Sequence, residues 1–339
     1  MTQSNTNYIG LDIGKFRLDF YEPGLGMRTF DNTPEGIKKL ISICRRVTNP
    51  SVVCEATSHY HMVPTQLLQR AKIPVSVTNP RYVRSFARAK GYLEKTDAID
   101  AKVIAEFGSS MNPRPHQEIS QESFELKALQ TQLRQLTQMI VLEKTHCEGL
   151  PTFQTKTRSK AILGVLEQQK KEVESVIDTL IAADGDLSRM SRLLQTTPGV
   201  GAGTARLLIS DLPELGRLSS RAISKLVGLA PLNNDSGCMR GKRSIHGGRK
   251  VVRNGIYMAT LSAKKFNPVI KDFYDGLITR GKLPKVAMVA CMRKLLILLN
   301  SMIKNGRDFY ISPSLPLPAK AVQGCLSLEG ETNQKGAIA

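Results

Sequence analysis

Residues 8–21 read YIGLDIGKFRLDFY, and their pattern decides the first half of the fold. Tyr8–Ile13 is a short apolar run interrupted only by Asp12, which reads as a buried strand. Residues 16–21 alternate and read as a second strand, with Gly14-Lys15 as the turn between them. Residues 27–31 offer a third strand. The stretch NTPEGIKKLISICRR predicts a helix capped by Asn32 or Thr33, with Pro34 early and Ile37, Leu40, Ile41 and Cys44 on its apolar face. SVVCEA (51–56) and PVSVTN (74–79) read as further buried strands. A helix at 62–71 separates them and another helix follows. Strands alternating with helices predict an α/β domain whose sheet is at least partly parallel.

From residue 123 the character changes. Leu126, Leu129, Leu133, Leu136 and Ile140 recur at alternating spacings of three and four, an a/d seam. Beyond Pro151 a second seam is read through Ile162, Leu166, Gln169, Val173, Val176 and Leu180. Two such helices fit a coiled-coil arm or two helices of an ordinary bundle. TTPGVGAGT (196–204) resembles a helix-hairpin-helix turn, whose glycines let backbone N–H groups approach a phosphate; as a plain turn it needs no ligand. A helix at 219–228 follows, then a loop at 230–248 and helices near 249–265, 268–279 and 284–303. The Pro-, Gly- and Ser-rich end beyond Pro313 reads as disordered.

The chain has 339 residues, enough for two cores. Its 48 Lys+Arg against 29 Asp+Glu give a net charge of +19, which implies a polyanionic partner, nucleic acid above all. The N-terminus lacks a secretory pattern, and the apolar run KLLILLNSMI is flanked by charges and reads as a buried helix, so no membrane association is expected. The six cysteines show no zinc-ligand spacing and read as reduced thiols of a cytosolic protein. His59 and His61 lack a Cys or acidic partner at ligand spacing.

Asp12 and Glu55 each sit at the end of a buried strand. KTDAIDA (95–101) puts Asp97 and Asp100 near the start of a helix, on one face. If the two strands are neighbours, Asp12 and Glu55 share one sheet edge, and a helix over that edge brings four carboxylates together. Uncompensated, these would repel and raise one another's pKa; Mg²⁺ resolves the conflict. Two such ions suit in-line displacement at phosphorus. Each acid also has a plainer use. Asp97 can cap a helix and Asp100 can face water. Asp12 can belong to an actin-like phosphate loop, though no second loop of that type follows.

Ser236 stands between Asp235 and Gly237, followed by Arg240, Lys242, Arg243, Arg249, Lys250 and Arg253. By itself such a serine is a turn residue, and the basic run a phosphate contact.

GLDIGK, VCEAT, VTNPRYVRSFARAKGYLEKTDAIDAKVIAEF and GLAPLNNDSGCMRGKR together resemble the DEDD transposases of the insertion-sequence one-ten family, relatives of the Piv-type DNA invertases. The wording is most similar to that family's second large branch. The resemblance spans about residues 8 to 310. It implies an RNase H-like, RuvC-type N-terminal domain with Asp12, Glu55, Asp97 and Asp100 as the metal-binding tetrad. It also implies that Ser236 is a nucleophile holding a DNA 5′ end as phosphoserine. It further implies a structured non-coding guide RNA, and an oligomer in which one subunit's acids meet another's serine.

The expected architecture is therefore α/β plus α. A RuvC-like domain (1–120) leads through a helical coiled-coil arm (121–190) to a mostly α serine-bearing domain (191–311) and a tail (312–339). The expected function is Mg²⁺-dependent strand exchange on donor and target DNA, with two ions and Mn²⁺ as a substitute. The expected assembly is a dimer or tetramer in the cytoplasm. Lys95, Arg240, Lys242, Arg243, Arg249, Lys250 and Arg253 are the expected nucleic-acid contacts. The alternatives are a RuvC-like junction nuclease with a structural Ser236 and a non-enzymatic nucleic-acid-binding protein.

Overall fold

The structure, a computed structural model, describes residues 6–56, 60–92, 97–116, 120–233, 241 and 243–309, with the backbone alone at Asp97 and Ala98. The chain divides into two compact units, Met1–Phe124 and Glu125–Ala339. Lys95, Ser236, Arg240, Lys242 and the tail lie outside the described residues.

In the first unit β1 (Asn7–Ile13), β2 (Arg17–Glu22), β3 (Gly26–Asp31), β4 (Pro50–Glu55) and β5 (Val75–Thr78) form one sheet in the order β3-β2-β1-β4-β5. The hairpin neighbours β1–β2 and β2–β3 are antiparallel, whereas β1–β4 and β4–β5 are parallel. The parallel pairs each need a crossover, and α1 (Pro34–Cys44) and α2 (Met62–Arg70) supply them. Thr33 caps α1 by accepting from the Gly36 N–H.

Period-two alternation sorts the side chains to two faces. Ile9, Leu11, Ile13, Leu18, Phe20, Val52 and Cys54 share a core with Ile37, Leu40 and Cys44 of α1. On the other face Val53 packs with Val83 and Phe86 of α3 (Pro80–Ala89) and with Val103, Ile104 and Phe107 of α4 (Asp97–Met111). Phe86 meets Phe107 edge-on, with ring centroids 5.6 Å apart. Residues 80–111 thus hold two helices, and the first ends at Gly91 with φ 85°.

The second unit is helical: α5 (Gln121–Gly149, whose first turn belongs to the first unit), α6 (Phe153–Ala183), α7 (Gly185–Gln195), α8 (Ala202–Asp211), α9 (Ser220–Val227), α10 (Lys250–Phe266), α11 (Pro268–Thr279) and α12 (Pro284–Asn305). Leu126 and Leu133 of α5 and Val173, Ile177 and Ile181 of α6 belong to the same apolar cluster as α8, α9, α10 and α12.

The first seam packs as its spacing predicts, with Leu126, Leu133 and Ile140 buried. The second runs in a shifted phase. Ser159, Val173, Ile177 and Ile181 are buried, while Ile162 and Val176 are 51% and 45% exposed. Val173 belongs to both rows, but beyond it the buried row continues at steps of four, through Ile177 and Ile181, where the sequence pattern steps three to Val176. The partner helix selects the inward one, and polar Ser159 joins it because its hydroxyl donates to Glu143 at 2.6 Å.

α12 is long and apolar enough to cross a membrane, beyond what the charge-flanked run at its centre suggests. Here it is a core helix: Ala287, Cys291, Leu295, Leu296 and Leu299 are fully buried.

Candidate active site

The site in the first unit is built on a glycine. A Cβ at Gly10 would overlap the carbonyl oxygen of Ala101 and come within 2.6 Å of the Ala105 nitrogen, so α4 lies directly on β1. Further along, a Cβ at Gly108 would press on Tyr8 and Val53 at 2.8 and 2.9 Å. The Tyr8 hydroxyl also donates to Asn112. Higher numbers on α4 therefore match lower numbers on β1, and the helix runs antiparallel to the strand. From Ala101 back to Asp97 the helix rises about 6 Å, and from Gly10 on to Asp12 the strand advances about 6.6 Å. The first turn of α4 reaches the level of Asp12 at the C-terminal edge of β1.

Glu55 ends β4 at the same edge. The parallel register pairs Gly10 with Val53 and Leu11 with Cys54, so the next residues along are Asp12 and Glu55. Both belong to the α4-facing set, with Gly10 and Val53. Cys54, next to Glu55 in the chain but buried on the opposite face of the sheet, senses the charge: its thiol is pushed up to about 12, first by burial, then by Glu55 and Asp12.

Asp100 is half-buried on the first turn of α4. Asp97 begins that helix, and its side chain is outside the described residues. Among the described residues no three His, Cys, Asp or Glu side chains stand close enough to hold a metal ion. The donor set suits a hard divalent cation by its chemistry, being carboxylate oxygen throughout. Asp12, Glu55 and Asp100 each have a partner within the protein.

A further acid was not anticipated. Asp19 is the cross-strand neighbour of Asp12 and is buried. It accepts from Arg17 Nε at 2.9 Å and from the Thr29 hydroxyl at 2.7 Å. The tight turn at 14–16 carries the signal, because it pairs Ile13 with Leu18 and hence Asp12 with Asp19.

In the second unit the Ser236 segment springs from a two-residue ladder. β6 (Pro231–Leu232) pairs antiparallel with β7 (Ser244–Ile245). Beside it, Gly228 (φ 79°) and Gly248 (φ 70°) meet backbone to backbone with no room for a Cβ on either. Arg249 binds both carboxylate oxygens of Glu214, at 2.6 and 2.5 Å, and the Asp211 carbonyl at 2.9 Å. Arg253 donates to the carbonyls of Val227 and Gly247. These two partly buried guanidinium groups tie the start of α10 to the end of α8, to Glu214 beyond it, to the end of α9 and to Gly247. Arg243 and Lys250 are exposed.

At the helix-hairpin-helix-like turn, Gly199 (φ 97°) faces the α10 backbone at Ala263, which its missing side chain makes possible. Gly201 and Gly203 open onto free space at the start of α8, which has no side-chain cap.

Two family models match this chain. One, for DEDD transposases of the IS110 type and described as a transposase, covers residues 9–150; the other, described as transposase IS116/IS110/IS902 family, covers residues 191–275. The pilin gene-inverting protein of Moraxella bovis is 28% identical over 313 residues, 89% of this chain and 97% of its own length. The protein of that name from Moraxella lacunata matches at the same identity and coverage. An uncharacterized 43.6 kDa protein of insertion element IS110 from Streptomyces coelicolor is 27% identical over 157 residues, 44% of this chain and 36% of that protein. The first model takes in Asp12, Glu55, Asp97 and Asp100 and the second takes in Ser236, and with relatives aligned nearly end to end the chain belongs to the IS110 family of transposases.

Proposed function

We propose that this transposase cuts and rejoins DNA through a covalent phosphoserine at Ser236, using divalent metal held by Asp12, Glu55, Asp97 and Asp100. The observation that carries this reading is the antiparallel seating of α4 on Gly10, which brings its first turn level with Asp12 and Glu55. The first unit is then RNase H-like, of RuvC type. Three antiparallel strands continued by two parallel ones, with acids at one edge, support this. The arm is residues 121–190 and the serine domain 191–311.

Mg²⁺, or Mn²⁺ in its place, supplies Lewis-acid charge neutralisation at the scissile phosphate when bound, one ion or two. The protein's own part follows. Ser236 Oγ attacks phosphorus, the Oγ–P bond forms and the P–O3′ bond breaks. The serine proton leaves to a carboxylate at the edge, and the departing 3′ oxygen takes up a proton. A 3′ hydroxyl from another strand then attacks the phosphoserine and releases the serine. The bond energy is conserved throughout, so no nucleotide cofactor is required. Arg243 and Lys250, with Lys95, Arg240 and Lys242, hold the phosphates. Arg249 and Arg253 act on them by bracing the loop.

The acids and the serine are far apart in sequence, and we assign them to different subunits of a homo-oligomer. The outward residues Ile162 and Val176 of α6 are available as contacts. A chain of +19 without a dedicated base-reading module is suited to a structured guide RNA that reads donor and target by pairing. The compartment is the cytosol.

The deciding experiment incubates the chain, with co-purified RNA, Mg²⁺ and nicked element-end DNA, and resolves the products on a denaturing gel. Wild type gives a protein–DNA band, and Ser236→Ala gives none while still binding nucleic acid. Cleavage to free 5′ phosphate at full rate by Ser236→Ala would instead identify a nuclease.

A further inference from the structure

α3 carries three arginines, Arg81, Arg84 and Arg88, and no acid. At about 100° per residue they fall on an arc of about 60°. Val83 and Phe86, the buried residues of the helix, point the opposite way. All three arginines are exposed, and none forms an ion pair with a described acid. This contrasts with Arg134, Arg206 and Arg249, each of which is matched to a carboxylate. Like charges one turn apart repel, so the row is costly to the free helix and is relieved by a polyanion lying along it. The fourth cation, Lys90, is engaged elsewhere: its ammonium is 3.8 Å from Glu106 and 5.6 Å from the centre of the Phe86 ring.

The row has a direction. Thr78 of β5 pairs with Glu55, and Asn79 caps α3 by accepting from the Arg81 N–H at 3.0 Å. Arg81 therefore stands within one helical turn of the acid edge, and Arg88 lies about 10 Å farther along the helix. That length suits two to three phosphates of an extended strand, which lie farther apart than the ~3.4 Å per phosphate along a duplex axis. Tyr82 flanks the row and is 65% exposed. An exposed ring beside a phosphate track suits an unstacked base, which a duplex does not offer from its backbone side.

We infer that α3 is a track for a single-stranded nucleic acid, with its phosphates on Arg81, Arg84 and Arg88 and one base on Tyr82, leading toward the acid edge. The phosphodiester chemistry is common to DNA and RNA. The transposase reading enters only as the reason a strand should approach that edge.

The test measures binding of labelled single-stranded DNA, single-stranded RNA and duplex DNA to the full chain across a salt series, without divalent metal so that no chemistry intervenes. Combined Arg81→Gln, Arg84→Gln and Arg88→Gln lowers the slope of log K against log salt by about 2 for single strands, from ~0.7 per phosphate. Arg→Lys at the same three positions restores the slope. Tyr82→Ala weakens single-strand binding about five-fold or more at unchanged slope. The DNA and RNA arms show which strand uses the track. An unchanged slope in the triple Gln variant, or a loss confined to duplex, overturns the inference. Because the readout is binding, it stands apart from the adduct assay: a wild-type chain that binds this way but forms no adduct overturns the phosphoserine mechanism and leaves the track intact.

Discussion

Gly10 and Ala101 are packed so closely that the strand and the helix touch backbone to backbone. The contact fixes the height of α4 over the sheet, and with it the level of Asp97 and Asp100 relative to Asp12. Gly10→Ala must push the helix away. We expect a loss of about 1–3 kcal/mol by thermal or urea denaturation, together with a larger loss of strand cleavage than of nucleic-acid binding. Gly164→Ala is the control. It sits on exposed helix with nothing near it, and is expected to gain about 0.5–1 kcal/mol. Equal effects of the two substitutions would refute the role given to Gly10.

The acids should matter for chemistry and not for binding. Asp12→Asn or Asp100→Asn is expected to lower strand cleavage by at least about a hundred-fold, with the affinity for DNA retained. Chelation by EDTA should do the same to wild type, and added Mg²⁺ or Mn²⁺ should reverse it. Cleavage that persists in EDTA would count against the metal site.

The basic run after Ser236 should divide into two classes. Arg249→Ala breaks a two-pronged pair with Glu214 and is expected to cost about 1–2 kcal/mol, with little change in the salt dependence of binding. Lys250→Ala, exposed, is expected to leave the stability within about 0.5 kcal/mol of wild type and to lower the salt slope by about 0.7–0.9. Melting curves and binding titrations on the two variants separate the classes, and identical behaviour would refute the division.

Burial holds the thiols of Cys44 and Cys54 up at about 12 and that of Cys291 at about 11, while Cys147 is half-buried. At pH 8 iodoacetamide should modify Cys147 in the native chain and leave the other three untouched until denaturant is added, as read by peptide mass mapping. The folded state keeps these three protons where the unfolded state loses them. Their contribution to stability is therefore complete below about pH 9 and is lost as pH rises toward 11–12, by up to roughly 1.4 kcal/mol per unit for each thiol. Labelling of Cys54 as fast as Cys147 would show that the sheet edge opens readily.

The strands and most helices were legible because each is set by local periodicity: YIGLDI, FRLDFY and SVVCEA appear as β1, β2 and β4 within a residue or two. The side-by-side placement of Asp12 and Glu55 needed only one assumption, that their strands are neighbours, and the parallel β1–β4 register meets it. What stayed hidden depends on partners remote in sequence. The phase of α6 is chosen by the helix against it. Glu214, which holds Arg249, lies 35 residues away. Asp19 emerges only once the hairpin register is known. The β6–β7 ladder escaped because two-residue strands have no period to detect.

That small ladder sets a leash on Ser236, the nucleophile of the proposed mechanism. Leu232 is fixed by its pairing with Ser244, and only four peptide steps separate it from Ser236. Fully stretched, four steps span about 14 Å. On that mechanism, whichever subunit brings the acids and the strand, the scissile phosphorus has to come within side-chain reach of a sphere of that radius centred on Leu232. The chain thus carries its own ruler for the assembled complex, and lengthening the segment between Leu232 and Ser236 would relax it.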